Sequence, residues 1–178
     1  MNIPNLLTLL RILLVPLIVI LLMDGAYLPA LLVFLFAGIT DGLDGFLARL
    51  LDQKTVLGAY LDPLADKALI ASSFVTLSIL GSIPGWLTVL VITRDLMILL
   101  GISLLALLSI PFEIHPVAVS KLTTAFQIFT VFMVLLMKNI AWESLTPIVE
   151  FLFWATALLT VLSGLSYIRK GVGMFNAS

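Results

Sequence analysis

The sequence predicts an all-α polytopic membrane protein: six transmembrane helices, with a short N-terminal segment lying in the membrane interface. Three observations predict it. Of 178 residues, 62% are apolar and only 11% charged, whereas a soluble domain carries about a quarter charged residues. The mean hydropathy is +1.25. The apolar residues fall into six runs, each close to the ~20 residues that cross a bilayer as a helix, divided by stretches rich in turn formers.

The first run covers about 4–23, and its opening turns, with Asn5, Thr8 and Arg11, are polar enough for the interface. The second, about 27–49, follows "DGAYLP". The third runs from about 56 to 80 and is broken by "GSIPG" from the fourth, about 84–108. After "SIPFEIHP" comes the fifth, about 117–137, and after "KNIAWES" the sixth, about 145–167, closing at "RKG". No linker, useful repeat or low-complexity tract interrupts this pattern, so residues 1–178 read as a single domain. The N-terminal stretch lacks a basic leader region and a small-residue cleavage site, and reads as retained structure.

Charge sets the orientation. Six helices with the N-terminus inside put Arg11, Arg49, Lys54, Lys121, Arg169 and Lys170 on or near the cytoplasmic side, against Lys138 opposite, beside Asp24 and Glu143. Both termini are then cytoplasmic. The connection "RLLDQKT" is cytoplasmic too, which brings Asp41, Asp44, Asp62 and Asp66 to the cytoplasmic half of the second and third helices.

Those four carboxylates demand an explanation, because an ionised carboxylate in or near hydrocarbon is costly. Asp41, Asp44, Gly45 and Ala48 share one helical stripe; Gly58, Asp62, Ala65 and Asp66 share another. The short connection makes the two helices antiparallel neighbours, so the stripes can face one another. Converging carboxylates repel unless cations intervene, and hard oxygen ligands suit Mg2+ or Mn2+ carrying substrate phosphates. Gly45, Ala48 and Gly58 leave room for a bulky group, and Arg49 offers a fork to a phosphate. With no cysteine, and a single histidine, His115, in a turn, an enzyme here would rely on carboxylate chemistry. The bland alternative, a helix-packing hydrogen bond, suits one isolated aspartate better than four on matched faces.

The spacing Asp41-x2-Asp44-Gly45-x2-Ala48-Arg49-x8-Gly58-x3-Asp62-x3-Asp66 resembles the signature of the CDP-alcohol phosphatidyltransferases, with every fixed position filled. The segments "NIPNLLTLLR", "DPLADK", "TRDLMIL" and "SKLTTAFQ" are also similar to family members. The resemblance implies that Asp41, Asp44 and Asp62, with Asp66 nearby, hold a pair of divalent ions, Mg2+ or Mn2+. By the same resemblance the ions would bind the pyrophosphate of CDP-diacylglycerol, and Asp66 would be the catalytic base for the attacking hydroxyl. Asp41, Asp44, Gly45, Ala48, Arg49, Gly58 and Asp62 would bind the CDP moiety, and CMP would leave. It further implies a homodimer in the inner (cytoplasmic) membrane of a bacterium, the active site facing the cytoplasm, and no nucleic-acid partner.

Similar members of the family use either glycerol 3-phosphate or phosphatidylglycerol as acceptor. A dianionic phosphate wants several cations, and Lys67, Arg94 and Lys121, with Thr124, are the candidate acceptor-binding residues. Members using glycerol 3-phosphate resemble G-K-x-K-T in helix five, after R-E in helix four and a further arginine. This chain has Ser120-Lys121-Leu122-Thr123-Thr124 and Arg94-Asp95. The departures remove cations and resemble the members that make cardiolipin. Arg94 beside Asp95 reads equally as a structural ion pair or an acceptor contact. Two other classes fit less well. Intramembrane prenyltransferases set their acidic motifs far apart, and ion-coupled transporters tend to show internal repeats and midplane sites.

Overall fold

The computed structural model describes residues 3–50, 56–107, 118–140 and 145–175, and within these the side chains of 9–40, 65–101, 103, 118–140 and 145–171. The described residues form six helices and no strand: α1 (Ile3–Met23), α2 (Tyr27–Leu50), α3 (Val56–Ile79), α4 (Gly85–Leu107), α5 (Ala118–Ile140) and α6 (Thr146–Phe175). Lys54 and His115 lie outside the described residues, as do the side chains of Asn5 and Thr8.

Local chemistry ends the helices where the turn residues stand. Gly25, at φ 70°, closes α1: the Gly25 amide donates to the Leu22 carbonyl and the Ala26 amide to that of Leu21. Gly81, at φ 68°, closes α3 in the same way, with Gly81 donating to Ser78 and Ser82 to Leu77. A left-handed residue after the last turn satisfies the orphan carbonyls, and glycine adopts it without steric penalty. The first helix is unbroken from Ile3 to Met23, so the opening turns that carry Asn5, Thr8 and Arg11 are continuous with the apolar run behind them. The last helix continues to Phe175, past the "RKG" expected to end it; lysine and arginine near a helix C-terminus favour the macrodipole rather than stopping the helix.

Helix α1 packs against both α2 and α3, α4 against α3 and α6, and α5 against α2, α3 and α6. Ile18, Leu22, Phe74, Leu77, Leu87 and Val134 are among the fully buried core side chains. Large apolar side chains are also exposed, including Leu13, Ile79, Leu100, Phe151 and Leu165. An apolar surface this extensive is suited to a hydrocarbon surrounding. Among the described residues, Ala118–Ile140 and Thr146–Gly171 are long and apolar enough to cross a membrane by length and composition.

The contact between α5 and α6 is polar inside. Thr130 and Thr156 hydroxyls meet at 2.9 Å, and Thr123 Oγ1 donates to the Leu159 carbonyl at 3.0 Å. Small polar residues let helix backbones approach and bond where no water competes. Gln127, one turn from Thr123 and fully buried, has no hydrogen bond to either side-chain amide atom among the described residues. On the outer surface, the Trp86 ring on α4 lies 5.1 Å from that of Trp154 on α6, tilted by 34°.

Candidate active site

Asp66 stands on α3 one residue after the fully buried Ala65, its side chain 37% exposed. Its Oδ1 accepts a hydrogen bond from Arg11 Nη1 at 2.6 Å. Arg11 is wholly buried, so the polarity that the sequence assigned to the interface is turned inward to a carboxylate. A guanidinium inside a bundle is tolerable when its charge is matched by a nearby anion, and the packing of α1 on α3 supplies one.

Asp66 also lines a cleft of about 580 Å³ between α2, α3 and α5. Phe34 and Gly38 of α2, Ile70 of α3, and Thr124 and Phe129 of α5 belong to its walls. Among the described lining residues, Asp66 and Thr124 come first on α3 and α5 and those further along are apolar, so a carboxylate and a hydroxyl stand together beside an apolar channel. The Thr124 hydroxyl donates to the Ser120 carbonyl at 3.2 Å, and its oxygen retains a lone pair as acceptor. Among the described residues, neither lysine nor arginine lines this cleft.

A second polar cluster joins four helices. Asp95 Oδ1 accepts from Arg94 Nη1 at 2.7 Å and from Lys67 Nζ at 2.6 Å. Arg94 Nη2 donates to Ser163 Oγ at 2.6 Å and to Ser120 Oγ, and Nε reaches Ser163 Oγ at 3.2 Å. The guanidinium also lies 5.9 Å from the Tyr167 ring centroid, a distance at which cation–π attraction acts. Arg94 and Asp95 are buried, while the Lys67 side chain is 29% exposed. Of the predicted acceptor residues, then, Lys67 and Arg94 meet at Asp95, Thr124 lines the cleft, and Lys121 is exposed on α5.

Asp41 and Asp44 are one turn apart on α2, as Asp62 and Asp66 are on α3. The side chains of Asp41, Asp44, Gly45, Ala48, Arg49, Gly58 and Asp62 lie outside the described residues. Among the described residues, no group of three or more His, Cys, Asp or Glu stands together. The chemistry of the four-carboxylate set nevertheless fits a hard divalent cation, since every donor is an anionic oxygen.

Sequence reasoning passed over Arg11 as a site residue; it weighed Asp95 as an ion-pair partner of Arg94, and missed Lys67 as the second partner of Asp95 and Ser120 and Ser163 as partners of Arg94. A signal existed for Arg11: a lone cation in an apolar run must find an anion, and the aspartates are the obvious ones. Ser163, in "VLSGLSY", carries no such signal.

A sequence model of the CDP-alcohol phosphatidyltransferase family matches residues 1–162. This chain belongs to that family. It is similar to a Mycobacterium tuberculosis protein named "Probable phosphatidylglycerophosphate synthase", with 36% identity covering 96% of this chain and 82% of the relative. The cardiolipin synthase (CMP-forming) of Rattus norvegicus is 34% identical, over 96% of this chain and 61% of its own length. The CDP-diacylglycerol–glycerol-3-phosphate 3-phosphatidyltransferase of Bacillus subtilis is 30% identical, over 95% and 94%. As a CDP-alcohol phosphatidyltransferase, the protein is a transferase of phospholipid biosynthesis. The family acts on CDP-alcohols with lipid or glycerol-phosphate acceptors and generally uses divalent metals.

Proposed function

We propose that this phosphatidyltransferase passes the phosphatidyl group of CDP-diacylglycerol to a hydroxyl of phosphatidylglycerol, giving cardiolipin and CMP. The observation carrying this reading is that Lys67 and Arg94 share the one carboxylate of Asp95. Two of the three candidate cations are thereby partly neutralised, an arrangement poorly matched to the dianionic phosphate of glycerol 3-phosphate. The apolar cleft beside Asp66 supports lipid substrates.

In this reading Asp66 accepts the proton of the attacking hydroxyl, being open to the cleft while Arg11 holds its other side. The hydroxyl oxygen bonds to the phosphorus that carries diacylglycerol, the bond from that phosphorus to the bridging pyrophosphate oxygen breaks, and CMP leaves with that oxygen. Asp41, Asp44, Asp62 and Asp66 would hold two divalent ions, Mg2+ or Mn2+, which supply charge neutralisation at the pyrophosphate when bound. Gly45, Ala48, Arg49 and Gly58 complete the CDP-binding pocket. The six helices span the inner membrane of a bacterium as one domain, in a homodimer, with the active site toward the cytoplasm.

A second reading, with glycerol 3-phosphate as acceptor, is favoured by the names of the mycobacterial and Bacillus relatives. One experiment separates the two. Purified protein with CDP-diacylglycerol and Mg2+ receives glycerol 3-phosphate in one reaction and phosphatidylglycerol in another, and the lipid products are identified by mass spectrometry. Cardiolipin, formed only with phosphatidylglycerol, is expected; phosphatidylglycerophosphate from the first reaction would overturn the choice of acceptor.

A further inference from the structure

We propose that Arg94 is a positioning residue: it fixes Asp95 and, through Asp95, orients Lys67 beside Asp66, without itself touching the acceptor. The inference deepens the proposed function and rests on it.

The guanidinium has five N–H donors, and four hydrogen bonds to Asp95, Ser120 and Ser163 occupy it. Its side chain is 4% exposed, and the ring of Tyr167 lies within cation–π range. Arg94 therefore ties α4 to Ser120 on α5 and Ser163 on α6. Such an engaged guanidinium would have to break several bonds to reach a substrate.

What Arg94 does instead is immobilise a carboxylate. Asp95 Oδ1 takes one bond from Arg94 and one from Lys67. Two cations on one carboxylate leave a single net positive charge, and Lys67, half-buried, is the most accessible of the three. A lysine has a flexible four-carbon stem and no preferred fork, so its ammonium needs an anchor to stay in one place. Asp95 is that anchor, and Lys67 directly follows Asp66, the carboxylate on the cleft. The surplus charge thus stands one residue along α3 from the proposed base, in an amount that matches the single charge of a phosphodiester.

The test is a double-mutant cycle on KM for the acceptor, with KM for CDP-diacylglycerol and kcat recorded alongside. Arg94→Gln and Lys67→Ala are each expected to raise acceptor KM about tenfold, and the double variant to be no worse than Lys67→Ala alone, the non-additivity of residues acting as one unit. KM for CDP-diacylglycerol stays within about twofold, and Arg94→Lys, which still reaches Asp95, restores part of the loss. Additive losses, about a hundredfold in the double variant, would mean that Arg94 contacts the acceptor directly and would overturn the inference. Should Arg94→Gln fail to fold, Ser163→Ala replaces it in the same cycle, removing two of the four anchoring bonds with every charge kept. An unchanged acceptor KM in Ser163→Ala also counts against the inference. No CMP from the wild type with either acceptor overturns the functional reading, and this inference with it; additivity in an active enzyme overturns this inference alone.

Discussion

Arg11 and Asp66, 55 residues apart, meet at 2.6 Å between α1 and α3. The proposed base is therefore positioned by a helix outside the two that carry the aspartate motif. On the proposed function, the first helix then belongs to the site as well as to its scaffold.

Replacing Arg11 with alanine should cost activity and stability together. Asp66 is partly exposed, so water offsets some of the loss, and about 2 kcal/mol of destabilisation is expected. CMP release should fall by about a hundredfold or more, with Arg11→Lys intermediate, because an ammonium supplies the charge without the planar fork. An Arg11→Ala enzyme with wild-type kcat would separate α1 from the chemistry.

Asp66→Asn keeps the shape and an acceptor oxygen for Arg11 but cannot take up a proton. It should retain binding of CDP-diacylglycerol and lose turnover, whereas Asp62→Asn should lose both. Ligand-induced thermal shift with CDP-diacylglycerol and Mg2+, read beside CMP release, distinguishes the two. Normal CMP release by either variant removes its assigned role.

Gly38 lines the cleft, and a Cβ built there meets no atom within 4 Å. Gly38→Ala should be tolerated and gain as much as ~1 kcal/mol in helix propensity. Gly38→Phe projects a ring into the channel and should cut turnover, most of all for long acyl chains. Equal rates on short- and long-chain CDP-diacylglycerol in Gly38→Phe would mean that the cleft holds no acyl chain.

Gln127 is buried, with no hydrogen bond to its side-chain amide among the described residues. An amide held away from partners is costly, and an apolar side chain of similar size removes that cost. Gln127→Leu should leave thermal stability unchanged or raise it by about 1 kcal/mol. A large drop in stability or activity would show that the amide is engaged when the enzyme works.

Much of the helical layout was legible because its punctuation is local. Gly25 and Gly81 terminate helices through their own backbone freedom, and the bounds of α1 to α4 follow the apolar runs closely. The end of α6 was misread because "RKG" looks like a boundary in a hydropathy profile although its residues tolerate a helix. The aspartate motif was legible because its spacing is fixed within 26 residues. The partners were not. Hydropathy reports that Arg11 is polar, and it does not distinguish an interfacial position from a buried one. Arg94 finds Ser163 69 residues away, a relation created by the packing of α4 on α6 and written in no local pattern.

Trp86 and Trp154, two of the three tryptophans in the chain, face one another across α4 and α6. Indoles 5.1 Å apart couple their electronic transitions, and the coupling vanishes when the helices part. The pair should therefore serve as an optical reporter of assembly: a circular-dichroism couplet is expected to persist in a variant dead for chemical reasons and to disappear in one that has come apart.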